Sequence, residues 1–329
     1  MYETGSAADF AGPVRKVQRK RSRGKKMLIA IELAVLAVLA ICVGIAAFVG
    51  WSLTHPARKP VDDSPERYGL VYDNVVFSSR DDNVSLSGWF IPASAAVRSA
   101  GTEAQKPKGM TLVFAHGYAG NRLEKGLPAL ALAKSLVTAG YNVLMFDFRN
   151  SGESAGKLTS VGQFEKRDLL GAVDWVRSNH PGKIGLIGFS MGATTAILAA
   201  AEEPDVVGVV ADSPFARLRD YLEENLPVWS NLPSFPFTML IMTIMPPITG
   251  IDVDEVDALA QVDRVYPRPI LFIHSADDTK IPYVNSELLW SRHPDRFEFW
   301  KTEKADHVDS YMMQPEEYTR RVLAFLEKL

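Results

Sequence analysis

Cysteine is almost absent from this 329-residue chain: Cys42 stands alone, so no disulfide can close within it and no zinc site can be built on thiolates. This scarcity assigns no compartment, because exported domains with large cores fold without disulfides. A surplus of charge is lacking too. Against 39 Asp and Glu stand 36 Lys and Arg, a net charge of −3, which gives no reason to expect nucleic acid, whose binding needs basic side chains clustered on the folded surface. No unit of about 20–50 residues recurs, which excludes a solenoid or propeller. What remains is 47% hydrophobic and 23% charged, a balance suited to one large α/β domain with segments to spare.

The charge is unevenly placed. Residues 1–26 carry Arg15, Lys16, Arg19, Lys20, Arg21, Arg23, Lys25 and Lys26 against Glu3 and Asp9, and are expected to form a solvated, disordered cytoplasmic tail. From 27 to 53 only Glu32 interrupts an apolar run long enough to cross a hydrocarbon core of about 30 Å. The run is too long for the core of a cleaved signal peptide and apolar on all faces, so it reads as an uncleaved transmembrane helix. The basic block puts the N-terminus in the cytoplasm and everything beyond Leu53 outside it. Trp51 fits an interfacial anchor, Glu32 lies near enough to the cytoplasmic end to snorkel, and Ile41 before Cys42 is not the small residue that lipid attachment needs. Residues 54–67, polar and Pro-rich, read as a linker holding a folded domain at 68–329 off the membrane.

Within that domain, 75–77 and 84–91 read as an opening antiparallel pair and 93–108 as a surface loop. From Met110 strands alternate with helices, which implies a mostly parallel sheet covered on both faces. Strands are expected at 110–115, 142–147, 184–189, 206–211, 270–274 and 296–300, and helices at 123–139, 163–178, 191–203, 285–291 and 316–327. The stretch 214–268 breaks the alternation. Rich in Pro, Met and aromatics, it is too long and too apolar for an exposed loop and is expected to form a helical cap over the strand ends.

The rest of the domain is organised around Gly188-Phe189-Ser190-Met191-Gly192, which follows a short apolar run and precedes an Ala-rich segment. A strand turning sharply into a helix there exposes the Ser190 hydroxyl above the sheet, with the helix N-terminus favouring negative charge beside it. A serine nucleophile needs a base and a carboxylate to orient that base. His307, in the loop before the last helix, is the preferred base; His274 is expected to support the backbone or line the pocket. The loop after 270–274 offers Asp277 and Asp278 as the acid, and Asp212 ends the preceding strand. Two N–H donors for an oxyanion are expected from Met191 and from Tyr118, in His116-Gly117-Tyr118-Ala119-Gly120. Asp147 and Arg149 are expected to brace the loops through a charge-assisted pair.

From about Tyr68 onward the chain resembles an α/β-hydrolase of the cap-bearing serine esterase or serine aminopeptidase-like group, also described as dienelactone-hydrolase-like. The resemblance rests on His116-Gly-Tyr-Ala-Gly-Asn, Asp147-Phe-Arg-Asn-Ser-Gly-Glu-Ser, Gly188-Phe-Ser-Met-Gly, Asp212-Ser-Pro-Phe, His274-Ser-Ala-Asp-Asp-Thr-Lys-Ile-Pro and Ala305-Asp-His. In that group the acid loop usually reads His-Gly-x-x-Asp-x-x-Val-Pro. Laid on 274–282 it implies Asp278 as the acid, with Ser275 and Ile281 as departures. The implied protein is a membrane-anchored serine hydrolase with a Ser190–His307–Asp278 triad, cleaving an ester, thioester or amide through an acyl-enzyme, with no metal or organic cofactor. The apolar cap suggests a small-molecule or lipid-like acyl substrate. A peptidase, or an inactive hydrolase fold used as an anchored binding module, are the alternatives.

Overall fold

A computed structural model describes residues 1, 14–93, 106–124 and 126–329, with the backbone alone for 14–22. Most of the loop expected at 93–108, and the start of the basic tail, lie outside the described residues.

Eight strands form one sheet: β1 (Asp73–Ser78), β2 (Ser85–Ile91), β3 (Met110–Ala115), β4 (Asn142–Phe146), β5 (Lys183–Phe189), β6 (Val206–Asp212), β7 (Ile270–Ser275) and β8 (Glu298–Thr302). Their order is β1-β2-β4-β3-β5-β6-β7-β8. β2 runs antiparallel to both β1 and β4, and every later pairing is parallel. The central strands β3 and β7 are buried along their whole length, as apolar runs covered on both faces must be. Edge strand β1 alternates between buried and exposed positions.

The helices are α1 (Val14–Thr54), α2 (Ala129–Thr138), α3 (Glu165–Asn179), α4 (Met191–Glu202), α5 (Leu218–Ser230), α6 (Ser234–Thr249), α7 (Ala258–Gln261), α8 (Val284–Trp290), α9 (Ser310–Met313) and α10 (Pro315–Leu326). One apolar cluster packs α3, α4 and α8 on one face of the sheet, and a second packs α2 and α10 on the other. This is the α/β-hydrolase architecture that the motifs imply, with the expected helical insertion, α5 to α7, between β6 and β7.

Three local expectations are corrected. The basic tail is helical from Val14: Lys and Arg are fair helix formers, and extending an existing helix avoids the cost of nucleating one. Helix α2 starts at Ala129 rather than 123, because Pro128 disfavours helix in the residue before it and Asn121 to Leu127 close into turns, with Glu124 N–H donating to Asn121 O and Leu127 N–H to Glu124 O. The segment after α1 does not hold the domain at a distance. Thr159 N–H donates to Thr54 O at 2.8 Å, Arg58 donates to the carbonyls of Ser154 and Gly156 at 2.5 and 2.6 Å, and Asn121 Nδ2 donates to Pro60 O at 2.9 Å.

Residues 23–54 of α1 are long and apolar enough to cross a membrane. The helix stands exposed until Ala46, where a third apolar cluster joins it to α5 and α6 through Leu226, Ile241 and Met245. Helices α5 and α6 meet at a bend of 113°.

Asp147 and Arg149 do not pair with each other, because each is claimed by a different buried partner. Asp147 accepts Arg122 Nη2 at 2.6 Å and the Arg122 and Glu153 N–H groups at 2.7 and 2.8 Å. Arg149 instead forks onto Asp168 of α3 and reaches Asp82 beyond β1. Removing one partner of a buried pair strands the other's charge, so Arg149→Ala is expected to cost about 3–5 kcal/mol. In urea or thermal unfolding, the Arg149→Ala/Asp168→Ala double variant should recover part of that loss; a double variant as unstable as the sum of both singles would contradict this account.

Candidate active site

Ser190 occupies the turn between β5 and α4 with φ 53° and ψ −120°, a region that L-residues enter at a cost. The turn is forced by crowding. A Cβ on Gly192 would lie 2.0 Å from Ala115 O, and one on Gly188 would lie 2.3 Å from Gly192 O. Strand and helix backbones therefore meet with no side chain between them, and the serine hydroxyl is turned out over the C-terminal edge of the sheet. Ser190 N–H donates to Asp212 O at 2.8 Å, which ties the turn to β6.

Two loops complete a relay. His307 Nε2 lies 2.8 Å from Ser190 Oγ, and His307 Nδ1 lies 2.7 Å from Asp278 Oδ2. The other oxygen, Asp278 Oδ1, accepts the N–H groups of Lys280 and Ile281 at 2.8 and 2.9 Å. His274 Nε2 faces two acceptors, Ile281 O at 2.9 Å and Asp278 Oδ2 at 3.2 Å, so it carries the proton, while Nδ1 accepts the Ser286 hydroxyl at 2.7 Å. Burial alone would raise the Asp278 carboxyl; the hydrogen bonds from His274 and His307, with that of the Ile281 N–H, outweigh burial and hold it far below the usual carboxylate range.

The neighbouring carboxylates are otherwise engaged. Asp277 accepts Lys304 N–H at 2.7 Å and Asp306 accepts Thr279 N–H and its hydroxyl at 3.0 and 2.8 Å, stitching the two loops together. Asp212 accepts Ser213 Oγ–H and Tyr318 O–H, each at 2.9 Å. Burial pushes its carboxyl up to about 6 despite those bonds.

On the other side of Ser190, the N–H groups of Met191 and Tyr118 take no partner among the described residues. The loop carrying Tyr118 is held by His116, whose Nε2 accepts Phe148 N–H at 3.0 Å and whose Nδ1–H donates to Gly117 O at 2.8 Å. Burial lowers the pKa of that imidazole. The Gly117 N–H donates to Glu124, whose carboxyl is raised by burial. Glu124 was not singled out from the sequence: it lies seven residues beyond the loop glycine, at φ 42°, and nothing in local patterning marks it. The Tyr118 hydroxyl reaches in the opposite direction, donating to Leu53 O at 2.5 Å.

Ser190 opens into a cleft of about 890 Å³, part of it open to solvent. Its walls come from α5 and α6, from Tyr118 and Phe215, and from Gly50, Leu53 and Thr54 at the end of α1. Tyr118 stands edge-on to Trp229 at 5.7 Å, and Trp229 Nε1–H donates to Tyr221 Oη at 2.6 Å. Apart from such tethered hydroxyls and indole the lining is aliphatic and aromatic. No group of three or more His, Cys, Asp or Glu suited to a metal ion occurs among the described residues.

A family model described as X-Pro dipeptidyl-peptidase (S15 family) matches residues 95–316. The chain belongs to that family. This S15-family chain is 31% identical to an uncharacterized Bacillus subtilis protein, YqkD, over 93% of its own length and 98% of that protein. It is 25% identical to the lysophosphatidylserine lipase ABHD12 of Mus musculus, over 88% of the chain and 75% of that protein. Among solved structures it is similar to an esterase of Pyrococcus furiosus, Pf2001, with a TM-score of 0.68 and 30% identity, covering 84% of this chain and 98% of that one. The chain is a hydrolase of the α/β-hydrolase fold.

Asp212 supplies a pH test of the site's packing. Its folded pKa of about 6 lies above its ordinary 3.8, so the stability linked to its proton is complete below the lower value and is lost as pH rises through the upper. Asp212→Asn keeps an acceptor for Tyr318 without the charge. The stability of this variant relative to the native chain should increase by about 1 kcal/mol between about pH 5 and pH 7.5 in thermal unfolding. An unchanged difference would show that the carboxyl titrates normally.

Proposed function

We propose that the chain is a membrane-anchored serine hydrolase that cleaves carboxylic esters of hydrophobic acyl groups. The observation that carries this reading is the continuous hydrogen-bonded path from Ser190 through His307 to Asp278, at the floor of an apolar cleft. Ser190 Oγ attacks the ester carbonyl as His307 Nε2 takes its proton. Asp278 holds His307 in the tautomer that can accept it and stabilises the imidazolium that results.

The carbonyl oxygen becomes an oxyanion between the Tyr118 and Met191 N–H groups, at the N-terminus of α4, where unpaired amides and the helix dipole favour negative charge. His307 then protonates the leaving alkoxide. Water, deprotonated by the same imidazole, releases the acid and restores Ser190. None of these steps calls on a metal or organic cofactor.

The anchor in this reading is α1, with residues 1–26 in the cytoplasm and the hydrolase domain, 68–329, outside it. The insertion at 214–268 serves as the cap. The lipase and esterase among its relatives and the aliphatic lining of the cleft favour an ester of a hydrophobic acid. The family's description favours the second reading, a peptidase acting after an X-Pro unit.

The test is full-length protein in detergent, treated with a fluorophosphonate and assayed on p-nitrophenyl esters and on Ala-Pro-p-nitroanilide. Label should map to Ser190 and be lost in Ser190→Ala and His307→Ala, with ester turnover falling on the order of 10⁴-fold or more; Asp278→Asn should cost roughly 10³-fold or more. Folded protein that takes no label would overturn the nucleophile. Preferential cleavage of the anilide would shift the assignment to a peptidase.

A further inference from the structure

The cleft above Ser190 is not closed by the hydrolase domain alone. Gly50, Leu53 and Thr54 of α1 form part of its wall, and Tyr118 is fastened to α1 through Leu53 O. The opposing wall is α6, which packs on α1 so closely at Gly50 that a Cβ there would lie 2.5 Å from Met245 Cγ. The cleft is therefore bounded in part by the crossing of α1 and α6.

Helix α6, SFPFTMLIMTIMPPIT, contains no charged residue. Only Ile241 and Met245 are buried in it, while Phe235, Met239 and Ile248 are 82%, 59% and 55% exposed. A helix apolar on every side is stable when it is buried or faces lipid, and this one faces outward beside a helix able to span a membrane. By contrast, α5 carries Arg219, Asp220, Glu223 and Glu224.

The dimensions agree. The stretch of α1 between the basic block and its first buried contact, residues 27–45, amounts to about 28 Å of helix, close to the roughly 30 Å of a hydrocarbon core. Ala46, where α6 joins it, then lies at the far boundary of that core. Phe235 and Met239 are exposed on the same helix that Ile241 and Met245 pin to α1 at that level.

We propose that α6 lies in the outer interfacial layer of the bilayer and that the cleft between it and α1 receives the acyl chain of an ester lipid drawn from that bilayer. The transmembrane helix is thus a wall of the acyl-binding site as well as an anchor. This rests on the serine-hydrolase and anchor reading above and adds to it the route and the physical state of the substrate.

The test separates the two. Full-length protein and its Ser190→Ala variant are placed in phosphatidylcholine vesicles containing a phosphatidylcholine with a diazirine in one acyl chain, irradiated, and mapped by mass spectrometry. Adducts on Phe235 or Met239, together with adducts on cleft residues such as Leu53 or Met242, are expected in both proteins, since no turnover is needed. Adducts confined to residues 27–45 would overturn the proposal even if Ser190 takes a fluorophosphonate, whereas cleft adducts on protein that takes no label would retain the lipid site and remove the catalytic reading.

Kinetics give a second readout. Leu53→Trp narrows the cleft and should lower turnover of vesicle-borne p-nitrophenyl palmitate about tenfold relative to p-nitrophenyl acetate. The exposed-face variant Phe235→Asp/Met239→Asp should lower the same ratio while leaving acetate turnover unchanged. A palmitate-to-acetate ratio unaltered in both would overturn the proposal.

Discussion

Between β5 and α4 there is room for backbone and nothing else. Gly188 and Gly192 meet each other and the end of β3 at distances that no Cβ could occupy, and the chain can turn there only by placing Ser190 at positive φ. The strain of that residue is maintained by the packing of a strand and a helix that are themselves buried. From it follow the hydroxyl turned into the cleft, the two loops that converge on it and the Met191 N–H at the start of α4, which takes no partner among the described residues. A relaxed turn would put the hydroxyl back among the strands, and neither His307 nor the cleft would have a group to address.

Much of this architecture is legible in the sequence because it is written locally. Apolar runs that give out within a residue or two of Ala115, Phe146, Phe189, Ala211 and Ile273 mark strand ends, and the loops after them bear the polar residues that the geometry gathers. Ser190 and His307 could be chosen from position and residue type. Asp277 and Asp278 could not be separated by the same reasoning, being adjacent in one loop; the family pattern pointed to Asp278, and the structure puts Asp278 beside His307 and turns Asp277 to the backbone of Lys304.

What escaped the sequence depends on contacts between distant segments. Asp147 could be recognised as a charge in need of a partner, but Arg122 as that partner lies on another loop, and Arg149 was drawn away by Asp168. The stretch 54–67 has the composition of a free linker, yet its neighbours are backbone carbonyls and amides on the domain, which composition does not disclose. The end of α1 reaches the site by the same long-range folding, whereas Glu124 folds back onto Gly117 from seven residues along the same loop, through a positive φ that patterning does not mark. Periodicity tells which face of a helix is apolar, not which element will cover it.

The attachment of α1 to the domain limits how the domain can be parted from α1. A cut just after Thr54 would uncover Ile241 and Met245 on α6, take away the carbonyl that holds the Tyr118 hydroxyl, and leave Thr159 N–H without its acceptor. The fragment set free would carry a sticky hydrophobic furrow and a loosened Tyr118 loop. In the anchored reading proposed above, shedding, which for many tethered ectodomains yields a working soluble form, would therefore yield a damaged one.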